Sequence, residues 1–324
     1  AWVMVNYEAV LAEVGGFGRY QVLAYIWFML TVVVTAGNMG FLIFANLDIP
    51  AKCLLNSTNT RQHTYNSGAM QSEDCRDKLP LYTPVAEFHL HGEQAAYRST
   101  LISIQMAGLF LGSVVSGQFS DRWGRRPVYV WNFLLLVLTG LATTLVTTVA
   151  QFSVMRFLTG VFLGGTIITI NTLLPESLPS SWRLLMGFLG WPLGYVWLSL
   201  LVLRAGHWRQ LVCQAQYAAF PALLITFCWL EESPKWLLQS GRSPTALRAL
   251  YRIAKLNGCA DPTGRHKALQ QLLDTDHPSA ALQTQDVGYW ELMCRPGFVR
   301  RRLWAAVFVH GCISGTGYAL LFNT

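Results

Sequence analysis

Apolar residues in this chain come in long unbroken blocks, not at the three-to-four-residue spacing of a helix with one wet face. Residues 21–45, QVLAYIWFMLTVVVTAGNMGFLIFA, carry no charge and are enough to cross a hydrocarbon core of about 30 Å as a helix. Further blocks run over 97–119, 128–148, 150–173, 185–203, 208–230 and 303–322, each near the roughly 20 residues that a spanning helix needs. The pattern predicts seven spans: six within 21–230 and a seventh within 303–324. Around them lie a polar N-terminus at 1–20, a long polar loop at 46–96 and a second polar stretch at 231–302. A cleaved signal peptide is the rival reading of the first block. Such peptides start basic and have a short apolar core of about 7–15 residues, whereas this block is longer and follows Glu8 and Glu13.

Composition agrees with the pattern. The chain is 52% hydrophobic and 13% charged over 324 residues, too oily for a soluble domain and typical of an all-α integral membrane protein. Lys and Arg then set the orientation. With the N-terminus in the cytoplasm, the inside collects Arg19, Arg122, Arg125, Arg126, Arg183 and the basic residues of 231–302. The outside holds Lys52, Arg61, Arg76, Lys78, Arg98, Arg204 and Arg209. Inside exceeds outside by about two to one, and the dense DRWGRR at 121–126 opposes the uncharged TTVAQ at 147–151. The net charge of +7 is spread over loops, with no basic stripe of the kind that binds nucleic acid.

This topology places the 46–96 loop outside. Asn56-Ser57-Thr58 is then a usable glycosylation sequon. Cys53 and Cys75 share the oxidising side and are expected to pair, whereas Cys213, Cys228, Cys259, Cys294 and Cys312 fall in membrane or cytosol and read as plain thiols. The His89-Leu90-His91 doublet lacks further ligands at zinc spacing, so no metal is expected. In the 231–302 stretch, Ser233 reads as a helix N-cap with Pro234 at the first position and Gly241 past the end. Ser243, Pro244 and Gly258 repeat the device. The second of these helices has an apolar face through Leu247, Leu250, Ala254 and the stem of Lys255, and an opposite face with Arg248, Arg252 and Lys255 that suits an anionic inner leaflet. A less ordered stretch is expected near 274–288.

Reaction chemistry is missing. The GxxxxGK[ST] phosphate cradle does not occur, GGFG at 15–18 and LGG at 163–165 follow no strand of a βαβ unit, and no nucleophile, base and orienter set is present. The reading is a non-enzyme without cofactors. Gly160, Gly164 and Gly165 read as close-packing positions between helices. Arg156 falls about one turn inside the fourth span, where a charge marks function; snorkelling to the interface is the alternative.

Several ordered motifs then carry a resemblance. GQFSDRWGRR at 117–126 is similar to the GxxxDRxGRR signature between the second and third helices of the major facilitator superfamily. RFLTGVFLGG at 156–165 resembles that superfamily's fourth-helix motif, and Glu176 and Arg183 in PESLPSSWR its acidic-to-basic pair after that helix. LAEVGGFGRYQ at 11–21 and EESPKWLLQSGR at 231–242 resemble solute carrier family 22, the organic cation, anion and carnitine transporters. The resemblance implies a major facilitator fold, here the N-terminal six-helix bundle plus helix 7, in the plasma membrane, taking a small organic ion as substrate by alternating access. It further implies a gate, or latch, on the cytoplasmic face built from Gly117, Asp121, Arg122, Gly124, Arg125, Arg126, Arg156, Glu176, Arg183 and Glu232. Asp121 would face the positive end of a neighbouring helix, and the arginines would reach carboxylates at helix ends.

The chain also departs from that pattern. FHLHGE at 88–93 replaces the family's acidic-Leu-Val-Cys, with Gly92 in the cysteine's place. The family's twelve-helix plan is covered only through helix 7, so the opposing half of the latch is expected from a longer form or a second chain. Two functions stay open: a transporter of small organic ions, leaning to anions because Arg156 is the charge deep in the spans, and a non-transporting receptor, regulatory protein or short isoform that keeps the fold.

Overall fold

Hydrocarbon offers backbone N–H and C=O groups no partner, so an apolar block that enters it must satisfy them within itself, as a helix. In the computed structural model the described residues are 7–45, 81–88, 90, 96–258, 301–302, 304–305 and 308–309. Asn56, Cys53 and Cys75, the 274–288 stretch and most of the expected seventh span lie outside them. By its contacts the chain divides into Asn6–Gln271 and a second unit made of Ala1–Val5 and Leu272–Thr324. Of the second unit only 301, 302, 304, 305, 308 and 309 are described, all helical.

Among the described residues the regular elements of the first unit are helices, with one isolated parallel bridge between Tyr82 and His207. In chain order it contains α1 (Tyr7–Glu13), α2 (Arg19–Ala45), α3 (Pro84–Glu87), α4 (Ala96–Trp123), α5 (Arg125–Ala142), α6 (Val149–Ser177), α7 (Leu184–Arg204), α8 (Trp208–Ala215), α9 (Ala219–Cys228), α10 (Pro234–Gln239) and α11 (Ser243–Leu256). Among the described residues, five segments are long and apolar enough to cross a membrane: α2, Tyr97–Trp123, Arg125–Leu145, α6, and Trp208–Cys228 spanning α8 and α9. The 21-residue α7 has Arg204 as its only charge and matches the remaining expected span.

Two local departures have physical causes. The block at 208–230, expected as one helix, breaks at 216–218, because Pro221 has no N–H for the Tyr217 carbonyl and its ring crowds that oxygen. Residue 242 takes the N-cap position of α11 where Ser243 was expected: the Arg242 carbonyl accepts from Thr245 and Ala246 N–H at 3.0 Å each, which draws Ser243 into the first turn. The α11 face that is buried runs through Ala246, Ala249, Leu250, Ile253 and Ala254, and Lys255 is exposed. The N-terminal α1, not foreseen, buries Val10 and Leu11, and Val14 just after it is buried too. It ends where Gly16, at φ +59°, returns its N–H to the Leu11 carbonyl at 2.9 Å, a backbone shape that favours glycine.

Helices α4 and α6 pack closest. A methyl group at Gly108 or Gly112 would overlap the Phe157 or Val161 carbonyl, and one at Gly160 or Gly164 the Gln105 or Leu109 carbonyl. Reciprocal glycines thus bring two backbones into contact, a packing that needs no hydrophobic drive, which lipid cannot supply. Against this pair lie α2 and α5, joined by a buried polar set. Trp27 donates through Nε1 to Tyr129 and Thr226 hydroxyls at 3.0 Å each, and the Thr31 hydroxyl lies 3.0 Å from that of Tyr129. Higher on α2, Asn38 accepts from Gln216 at 3.1 Å through its side chain and from Gln105 at 3.2 Å through its backbone carbonyl.

Candidate functional site

At the end where α4 turns into α5, the sequence supplies the charge density noted at 117–126. Gly124 makes the turn at φ +114°, in the half of backbone space that favours glycine, and a methyl there would strike the Glu232 carboxylate. The turn leaves the first N–H groups of α5 without helical partners, and Gly124 has no side chain to cap them. Glu232 supplies the cap from 107 residues away: its Oε1 accepts from the N–H of Arg125, Arg126 and Ser233, each at 3.0 Å. Burial pushes the Glu232 carboxyl above the ordinary carboxylate value, and the N–H groups of Arg126, Ser233 and Arg125 pull the other way.

The arginines spread from this point to three helix ends. Arg125 pairs with Asp121 one turn back, donates to the Ser120 hydroxyl at 3.3 Å and lies 3.7 Å from Glu176 at the end of α6. Arg126 donates to the Thr226 carbonyl near the end of α9 at 3.1 Å. Arg183 donates through Nε to the Pro175 and Leu178 carbonyls, both at 3.1 Å. Cations at helix C-termini complement the negative end of the dipole. Trp236 Nε1 donates to the Asp121 carbonyl at 2.8 Å, which fastens α10 under the turn, and Tyr7 donates to the Glu176 carbonyl at 2.7 Å. Gly117 lies one turn before Asp121 on α4. Arg122 is exposed and has no ion pair among the described residues.

Two expectations are corrected by this geometry. Asp121 does not face the helix N-terminus; its side chain is 60% exposed and pairs with Arg125, and Glu232 accepts from the first N–H groups of α5 in its place. Arg156 does not join the cluster. It is 20 positions before Glu176 on the straight length of α6, about 30 Å away, toward the opposite end.

That opposite end holds a second polar cluster that had no local signal. Glu87, at the end of α3, accepts from Trp208 Nε1 at 2.7 Å and from Arg209 Nη1 at 2.6 Å. Arg209 also donates to the Thr144 and Val146 carbonyls at 2.8 and 2.9 Å, so one guanidinium ties together the 81–90 segment, the turn after α5 and the start of α8. The Tyr82 backbone donates to the Gly206 carbonyl and accepts from Trp208 N–H, both at 3.0 Å. Burial opposes ionisation of Glu87, but the bonds from Arg209 and Trp208, with the charges of Arg209 and His207, hold its carboxyl below the usual value. Beneath this rim, Arg156 is fully buried. Its guanidinium lies 4.7 Å from the Phe41 ring centre and 5.4 Å from that of Phe152, and Nε, Nη1 and Nη2 have no hydrogen-bond partner among the described residues. A charge so placed in hydrocarbon costs at least about 2.5–3.5 kcal/mol.

A model of the family described as "Sugar (and other) transporter" matches residues 50–324. Mouse solute carrier family 22 member 20 is 30% identical over 232 residues, covering 68% of this chain and 40% of that protein. Mouse organic anion transporter 3 is 32% identical over 220 residues, covering 64% and 40%. The chain therefore spans about two fifths of the length of these relatives. Among solved structures, the inward-open xylose transporter XylE of E. coli aligns with a TM-score of 0.48 at 17% identity, over 80% of this chain and 56% of that one.

Proposed function

The chain belongs to the sugar (and other) transporter family of the major facilitator superfamily, and from that premise we propose that its full-length form moves small organic ions across the plasma membrane by alternating access. The observation that carries the reading is the cluster around Arg125, Arg126 and Glu232. It joins the ends of α4, α5, α6 and α9 to α10 through charge-assisted bonds at one face only, the arrangement of a latch that is made in one state and broken in another. Gly117, Asp121, Arg122, Gly124, Arg125, Arg126, Glu176, Arg183 and Glu232 belong to this latch. It faces the cytoplasm, as the Lys and Arg asymmetry between loops requires. The six-helix bundle of 21–230 is one half of the transporter, and the partner across the latch is a second half, in the same longer chain or in another.

The substrate leaning is to anions. It is supported by Arg156, the fully buried cation with no acceptor among the described residues, and by the name of one relative, organic anion transporter 3. The test is uptake of labelled organic anions and cations into vesicles bearing the full-length parent, beside vesicles bearing this chain alone. Uptake of anions by the parent is the expected result. A properly inserted parent that moves none of the panel would sink the transport reading and favour the receptor-like one.

A further inference from the structure

We propose that Arg156 is the fixed half of a binding site for a single monovalent anion, a carboxylate or a halide, seated between the aromatic rings beneath the Glu87–Arg209 rim. This deepens the transport reading, on which its biological use rests. A guanidinium has five N–H donors and no acceptor, and here none of its three nitrogens reaches a hydrogen-bond partner among the described residues although the side chain is fully buried. No carboxylate pairs with it among the described residues. Unpaired acceptors do exist in the same bundle, Oε1 of Gln105, Gln214 and Gln216, and none takes an Arg156 proton. The donors are thus held away from the protein's own acceptors.

The rings define what fits. Phe41 and Phe152 lie over the guanidinium, and Trp208 packs on both rings, at 6.1 and 5.7 Å between centres. The π faces compensate part of the charge but cannot accept five N–H groups, so the unsatisfied chemistry is the donor edge of a planar cation walled by aromatic carbon. That edge matches the two oxygens of a carboxylate, and equally a single soft halide. One cation balances one negative charge, and Arg156 is the sole charge in the interior of the described spans, so a divalent anion would stay half uncompensated. Above the site, Trp208 donates to Glu87, which joins the aromatic wall to the polar rim.

The experiment uses the full 324-residue chain purified in detergent or nanodiscs, with unfolding followed by scanning fluorimetry. Sodium benzoate and sodium chloride are the probes, and sodium sulfate at matched ionic strength is the divalent control. A saturable rise in unfolding temperature with benzoate, chloride or both is expected, with no saturable response to sulfate. Response to benzoate alone identifies the carboxylate source, and response to chloride alone the halide. In Arg156→Met the apparent dissociation constant should rise by about tenfold or more, while the anion-free protein unfolds no earlier than the parent, since a lone buried charge has been removed. Arg156→Lys keeps the charge but not the planar edge, and should bind more weakly than the parent and more tightly than Arg156→Met. Absence of a saturable response, or the same response in parent and Arg156→Met, overturns the site. Binding without uptake would sink the transport reading alone, and uptake unaffected by Arg156→Met would sink this inference alone.

Discussion

Glu232 and Asp121 both lie against Arg125, and they differ in what each replaces from water. Asp121 is mostly exposed and pairs across one turn, a contact worth about 0–1 kcal/mol at a surface. Glu232 is half-buried and holds three backbone N–H groups that otherwise have no acceptor, and such bonds to a charged group are worth about 1.5–3 kcal/mol. Glu232→Ala should therefore destabilise the bundle by roughly 2 kcal/mol and Asp121→Asn by less than about 1 kcal/mol, read as unfolding temperatures at equal purity. An equal loss for the two would refute the cap. The pH response separates two carboxyls further. Glu232 has a pKa above its ordinary 4.5, so the folded chain holds the proton more tightly than the unfolded one, and the Glu232 contribution falls as pH rises from 4.5 through the raised value. Glu87 has a pKa below 4.5, so its contribution is present above that value and lost as pH falls through the lowered one. Glu232→Gln should flatten the first slope and Glu87→Gln the second in a series of unfolding temperatures against pH. A carboxylate at the positive end of a helix near this turn was legible through the resemblance of 117–126. Its identity was not, because Asp121 is the local choice and Glu232 arrives from 107 residues on.

Between elements, the α4–α6 seam sets how close the bundle can draw. Gly112→Ala should push the two backbones apart and cost about 1–3 kcal/mol, as overpacking does, whereas Gly206→Ala meets open space and should be neutral. Thermal unfolding of both variants checks the pair, and a harmless Gly112→Ala would mean that the seam yields. One side of this seam was legible: RFLTGVFLGG carries Gly160 and Gly164 four apart. Its partner glycines at 108 and 112 have the same spacing, but a sequence does not say which helix faces which. Five of the expected spans were legible because apolar length is a property of each segment alone, while the break before α9 turned on a single Pro221.

Across the whole molecule, orientation rests on the loop charges, and two modifications test it. Asn56→Gln should abolish a glycan-dependent mobility shift in the full-length parent, and Arg242→Cys should react with an impermeant maleimide only after permeabilisation. Labelling of position 242 in intact cells would reverse the topology. Long-range pairing was the least legible layer: Glu87 with Arg209 and Trp208, 122 and 121 residues apart, join segments whose local patterns say nothing of each other. Asn257 is the extreme case. Its Oδ1 accepts from Tyr20 N–H at 2.9 Å and its Nδ2 donates to the Val14 carbonyl at 3.1 Å, across the bend that opens the first span. The two partners are 237 residues apart. At a ribosomal pace of about 5–20 residues per second, the leading helix enters the membrane roughly 12–47 seconds before the side chain that closes its mouth has been made. Through that interval its apolar length comes first and partners made earlier, such as Gln105 and Tyr129, come next, so early insertion is decided by lipid and the bend is secured last by asparagine.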